Sequence, residues 1–329
     1  MEAPSAMKSL KKSSIVLPVL LLSAVVSIYA YFSVSELKPM NNHSFPKLNN
    51  NNLEKILQRA ATKDKVVILT TSNEPWSAPN SIVDMMLDSM RRGNGTRTLI
   101  NHLVIISLDH EAHARCEATH PHCYNLNETL SDHKEAFFMT PKYIDLLWER
   151  TALYGRVLQM GFSFLAADAD IMWFQDPFPH IFPEADIVTA CDKFGGNPND
   201  KRNPSNLGFY FTKSSNRTIE FFKYFYAAKD RFPGKMDQDV FQLIKNDAFV
   251  SDIGLRMMFQ DTVYFSGFCQ RSNNFNLVCT MHANCCRGLQ RKIAGLDLAR
   301  QDWFKFYNLT DAEKAKTPSL NWTLPKHCW

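Results

Sequence analysis

The chain has 329 residues, 45% of them hydrophobic, enough to bury one large core and too apolar for a disordered protein. Its formal net charge is +4, and Lys8, Lys11 and Lys12 against Glu2 place half of that before residue 15. What is left downstream is no electrostatic footprint for a nucleic acid.

Residues 15–34 form a charge-free run that reads as one transmembrane helix, since about 20 helical residues span a bilayer of about 30 Å. A cleaved signal peptide is the competing reading, with Val34 and Ser35 near its end. Lysines precede the run, while Glu36 and Lys38 balance after it, so the positive-inside rule puts the N-terminus in the cytosol and the body in the lumen. The expected organisation is a cytosolic tail 1–14, a signal anchor 15–34, a stem 35–60 with Pro39, Pro46 and an Asn run, a catalytic domain 61–302 and a tail 303–329. Sequons begin at Asn42, Asn94, Asn127, Asn216, Asn308 and Asn321, which agrees with a lumenal glycoprotein. Eight cysteines predict disulfides; Cys116 and Cys123 bracket a short loop, and Cys269, Cys279, Cys285 and Cys286 crowd one segment.

Val66 to Thr71 is a β-branched apolar run of the kind found in buried parallel strands. Residues 81–92 have helical spacing at Ile82, Met85, Met86 and Met90, and Leu103 to Asp109 reads as a second strand. Thr140 and Pro141 are a cap and first position for a helix that ends near Gly161. Phe162 to Ala167, Asp186 to Ala190 and Gly208 to Thr212 follow as strands, with a helix over Thr218 to Ala228. Strands alternating with helices predict an α/β, Rossmann-like fold with a mostly parallel central sheet.

The chemistry centres on FLAADADIMWF, in which Asp168 and Asp170 leave the C-terminal end of an apolar strand. Ligands of open α/β sheets bind at that edge, and paired carboxylates hold a hard divalent cation completed by phosphate oxygens and water. Neither GxGxxG nor GxxxxGK[ST] is present, so dinucleotide and P-loop readings fail. His110, Glu111 and His113 are spaced one residue too close for HExxH, and Gly161 to Leu165 lacks the second glycine of a nucleophile elbow. A zinc site from His110, His113, Cys116, His120, His122 and Cys123 competes with a disulfide-closed loop there. MDQDVF places Asp237, Gln238 and Asp239 at a helix start, where acids also serve as N-terminal caps. CTMHANCC sets His282 between cysteines.

KYIDLLWERT, FLAADADIMWFQDPF, DKFGGNPND, NLGFYFTKSSNRT, FPGKMDQDVF, GFCQ and CTMHANCC, in that order from about Val66 to Asp302, resemble the nucleotide-diphospho-sugar transferase domain of plant glycosyltransferase family 77 and its relatives. The resemblance implies a GT-A fold, a Golgi-membrane, single-pass type II protein with a lumenal catalytic domain, and a UDP-sugar donor. It also implies transfer with retention, of a pentose such as xylose or arabinose, to a wall polysaccharide or glycoprotein. Manganese or magnesium would be held by Asp168 and Asp170, with His282 as third ligand. Gln238 and Asp239, with Asp237 beside them, match the catalytic element near the anomeric carbon. Lys142, Arg150, Asn206 and Gly208 match donor-binding positions, to which Thr70 and Thr71 at the end of the first strand are added. For Arg150, a surface ion pair with Glu149 or Asp145 is the alternative. The sequence departs from the family in NLG for NTG or NSG and in DAD for DVD. Homo- or hetero-oligomers are compatible with it. Two rivals are an inactive lumenal sugar-binding scaffold and a DxD phosphatase; the latter wants Thr or Val where Met172 stands.

Overall fold

The computed structural model describes residues 45–46, 50–126, 140–316, 321–323 and 328. In chain order, its elements begin with helix α1 (Asn50–Ala60), β1 (Val66–Ser72), α2 (Glu74–Ser77), α3 (Ile82–Arg92), β2 (Leu103–Ser107), α4 (His110–Thr119) and β3 (Cys123–Asn125). The middle holds α5 (Pro141–Gln159), β4 (Ser163–Ala167), β5 (Ile171–Trp173), β6 (Ile187–Cys191), β7 (Ser205–Thr212), α6 (Asn216–Ala228) and α7 (Asp237–Ile244). The last part holds α8 (Ala248–Asp252), β8 (Met257–Phe259), β9 (Phe265–Gly267), β10 (Thr280–His282), α9 (Leu289–Tyr307) and α10 (Asp311–Lys316). Thr140 caps α5, accepting a hydrogen bond from the Tyr143 N–H, and Pro141 fills the first turn, where a missing N–H costs nothing.

Seven strands form the main sheet in the order β3-β2-β1-β4-β7-β6-β8, and β5-β10-β9 form a small second sheet. Alternation along each strand sends Val67, Leu69, Phe164 and Ala166 into one core, and Ile68, Leu165 and Ala167 into the other. Helices α1, α5 and α6 supply apolar residues to the first core; α3 and α9 supply the second. Each large side chain buried in this way contributes about 1.5–3 kcal/mol.

The main sheet is mostly parallel, as expected, with one exception: β7 runs antiparallel to both β4 and β6. The connection 192–204 contains no helix, and without a helical crossover the chain returns beside β6 in the opposite direction. The β6–β7 register also shifts, from Thr189 opposite Tyr210 to Ala190 opposite Asn206, so β7 bulges at Leu207–Phe209.

Among the described residues no helix is long and apolar enough to cross a membrane. Helices α5 and α9 reach 19 residues each, but charges interrupt both, among them Asp145 and Glu149 in α5 and Lys292 and Asp297 in α9. The expectations of a membrane helix, a signal anchor, membrane attachment and a single-pass Golgi topology are corrected on this finding; the run 15–34 that prompted them lies outside the described residues. Helix α1 falls within the segment expected as stem, yet Leu53, Ile56, Leu57 and Ala60 are core residues. Trp303, Phe306 and Trp322, from the expected tail, are buried in the second core. Disulfides join Cys116 to Cys123, Cys269 to Cys285 and Cys286 to Cys328, and Cys191 and Cys279 are buried free thiols. The first of these closes the loop for which a zinc site was weighed.

Candidate metal and donor site

Asp168 is the first residue beyond β4, and its N–H donates to the Gly208 carbonyl at 2.7 Å, which ties the strand end to the bulge of β7. The chain then turns into β5, which pairs with β10 so that His282 lies opposite Ile171. The Ala283 N–H donates to the Asp170 carbonyl at 3.0 Å and extends that pairing. A ligand residue more than a hundred positions away is thereby set beside the acidic pair. One ligand atom from each of Asp168, Asp170 and His282 lies within 4.8 Å of the other two, the sole such group among the described residues.

The contacts inside the cluster favour a cation. His282 Nε2 is 3.3 Å from Asp170 Oδ1 and 4.0 Å from Asp168 Oδ2. Asp170 Oδ1 is buried and receives no well-angled hydrogen bond from the described residues, although the imidazole is close. A buried carboxylate oxygen left in that state is costly, and a metal ion bound there would satisfy it. Gly208 leaves the necessary room, since a Cβ there would meet His282, Asn206 and Asp168 at once. The three residues fit manganese or magnesium.

Two cations that are not ligands balance the acids. Arg150 of α5 donates Nη1 to Asp168 Oδ1 at 3.1 Å and Nη2 to Asp237 Oδ2 at 3.0 Å, with its side chain only 11% exposed. This is no surface pair with Glu149 or Asp145. Lys292 of α9 donates to Asp170 Oδ2 and to the Ala283 carbonyl. Burial opposes ionisation of Asp170, but Lys292 and His282 outweigh it and hold the carboxyl well below the usual carboxylate range. At Asp168, burial and the neighbouring Asp170 charge win over Arg150 and push the carboxyl up, an effect tempered by the third of its side chain that is exposed.

The bulge of β7 orders a second ring of polar groups. Bulging removes the Leu207 N–H from the ladder, and the Gln238 Oε1 accepts it at 2.9 Å with one of its two lone pairs, which orients the amide. Asn206 Oδ1 accepts the Gly208 N–H at 2.8 Å while its Nδ2 donates to Asp192 Oδ1 at 2.6 Å. Asp237 is buried on Arg150, and its Oδ1 accepts the Gln238 N–H. Leu207 is buried in the first core, so its departure from the family pattern faces the interior.

The sequence-predicted residues therefore separate. Asp168, Asp170, His282, Arg150, Asp237, Gly208, Asn206 and Gln238 are linked by direct contacts. Asp239 is exposed and Lys142 half-buried, and neither makes an ion pair with the described residues. Thr70 is fully buried, its hydroxyl without a hydrogen-bond partner among the described residues, and Thr71 is half-buried. Sequence reasoning missed Lys292, because nothing in LQRK at the start of a helix marks its ammonium as the partner of an acid 122 positions earlier.

The profile of the nucleotide-diphospho-sugar transferase family matches residues 98–296. The chain is similar to Uncharacterized protein At4g15970 of Arabidopsis thaliana, 41% identical over 278 residues that cover 84% of this chain and 73% of that protein. It is similar to Uncharacterized protein At1g28695 of the same plant at 31% identity over 267 residues, 79% of this chain and 80% of that one. Among solved structures, mouse xyloside xylosyltransferase 1 in its apo form matches with a TM-score of 0.40 and 14% identity, over 67% of this chain and 98% of that one. The α/β architecture, with its mixed sheet and acids at a strand edge, is GT-A-like. With its profile matched over more than half of its length and a relative 41% identical, the chain belongs to the nucleotide-diphospho-sugar transferase family.

Proposed function

We propose that the protein is a metal-dependent retaining glycosyltransferase that moves a sugar from a UDP-sugar donor to a polysaccharide or glycoprotein acceptor. One observation carries this reading: Asp168, Asp170 and His282 turn their ligand atoms toward one another at the sheet edge, in space that Gly208 leaves open. A pentose donor, xylose or arabinose, is the finer form of the proposal and rests on the sequence resemblance to family 77.

A divalent cation, when bound by Asp168, Asp170 and His282, supplies Lewis-acid neutralisation of the leaving diphosphate. Arg150 holds Asp168 and Asp237 in fixed positions, so little reorganisation is needed as charge develops. The acceptor hydroxyl attacks from the leaving-group face as the bond from the anomeric carbon to the diphosphate breaks, its proton passing to the departing phosphate oxygen, and the second lone pair of the Gln238 Oε1 or the carboxylate of Asp239 stabilises the positive charge at the anomeric carbon. Asp239, exposed and without an ion pair among the described residues, is the residue a covalent double displacement would use. Asp237 is unsuited to that role, since Arg150 holds its carboxylate.

The test is UDP release from a panel of UDP-sugars by the purified chain with and without manganese, followed by NMR of the product anomer. The proposal expects one preferred donor, retention, and loss of turnover in Asp168→Asn and Asp170→Asn. Undiminished turnover in either folded variant sinks the metal assignment, and an inverted product sinks the mechanism.

A further inference from the structure

Lys292 sits at the metal-facing cluster yet supplies no ligand atom, because an ammonium has donors and no lone pair. Its Nζ is held on Asp170 Oδ2, on the Ala283 carbonyl at 3.1 Å, and over the Trp76 ring at 5.7 Å from the centroid. Only 17% of the side chain is exposed. The first turn of α9 carries it, just beyond the Cys286–Cys328 disulfide that fixes the chain after β10. This charge is therefore part of the framework and not a solvent-facing arm.

Three carboxylates, Asp168, Asp170 and Asp237, face two permanent cations, Arg150 and Lys292, so the acids outnumber the permanent cations by one. A divalent cation entering alone makes the cluster net positive in a largely buried place, beside an ammonium already paired with one of its ligands. A nucleotide diphosphate arriving with it restores the balance. We propose that Lys292 couples the two ligands: by occupying Asp170 Oδ2 it weakens binding of a divalent cation alone and makes cation and nucleotide diphosphate enter as a linked pair. This rests on the donor and metal reading of the site. Lys292 is a positioning residue, acting through Asp170, to which it leaves one oxygen, Oδ1, for the cation.

The experiment measures Mn2+ binding to the purified full-length chain through the EPR signal of free Mn2+, with and without saturating UDP, for wild type, Lys292→Met and Lys292→Arg. Repulsion between a single and a double charge a few ångströms apart is worth about tenfold even in water-like surroundings. Lys292→Met should therefore bind Mn2+ alone about tenfold more tightly than wild type and gain less from UDP, while Lys292→Arg keeps the wild-type pattern. A folded Lys292→Met with unchanged or weaker Mn2+ affinity, in a protein whose wild type binds Mn2+ with UDP, overturns the coupling and leaves the transferase reading standing. Should Lys292→Met not fold, the wild type decides, because the coupling requires its Mn2+ affinity to rise about tenfold or more with UDP, and equal affinities refute it. Absence of Mn2+ binding under every condition defeats the metal reading itself.

Discussion

Gly208 and His282 are in such close contact that a Cβ added at position 208 would lie 2.4 Å from His282 Cε1, and 2.8 Å from Asp168 Oδ2. The missing side chain is what allows a ligand from β10 to approach the strand-end acids. Real Cβ atoms do not come so near, so any larger residue has to displace the imidazole or the carboxylate.

Gly208→Ala should for this reason weaken Mn2+ binding. Overpacking costs roughly 1–3 kcal/mol, equivalent to about a 5- to 150-fold rise in Kd. Isothermal titration in the presence of UDP measures it, with circular dichroism as the control for fold. An affinity equal to wild type would show that the cation does not use the space beside His282.

Arg150 links Asp168 and Asp237 with two separate nitrogens of one planar fork. Lysine has the charge but a single nitrogen, and methionine has neither. Arg150→Met leaves two largely buried carboxylates unpaired, and urea unfolding should show a loss of about 3–5 kcal/mol. Arg150→Lys should lose less stability but still show slower sugar transfer, because one acid is no longer held. Equal unfolding midpoints for all three proteins would mean that the bridge contributes nothing.

Glu149, next to Arg150 but on another face of α5, has its carboxyl raised to about 6 by burial and by Asp145, partly offset by Lys229. The folded state then binds this proton more tightly than the unfolded chain does, so the group favours folding below the unfolded pKa and that advantage is lost as pH rises through about 6. Glu149→Gln removes the titration. The stability of the variant relative to wild type should increase from pH 4.5 to pH 6.5 in urea unfolding, starting from the ordinary carboxyl value of 4.5. A pH-independent difference would contradict the shift.

The local elements and half of the site were legible in the residues alone. Thr140 and Pro141 announced the start of α5 because caps act within one turn, and the apolar run before Asp168 announced a strand because burial on both faces needs such a run. The loop between Cys116 and Cys123 was legible for the same reason, its ends being seven positions apart. Contacts between partners far apart along the chain emerged with the packed fold. The antiparallel course of β7, the union of Arg150 with Asp237, the capture of the Leu207 N–H by Gln238 and the salt bridge from Lys292 to Asp170 follow from how sheets and helices pack. Periodicity and capping are encoded within a few residues, whereas a pairing across 87 or 122 positions depends on which surfaces the whole core brings together.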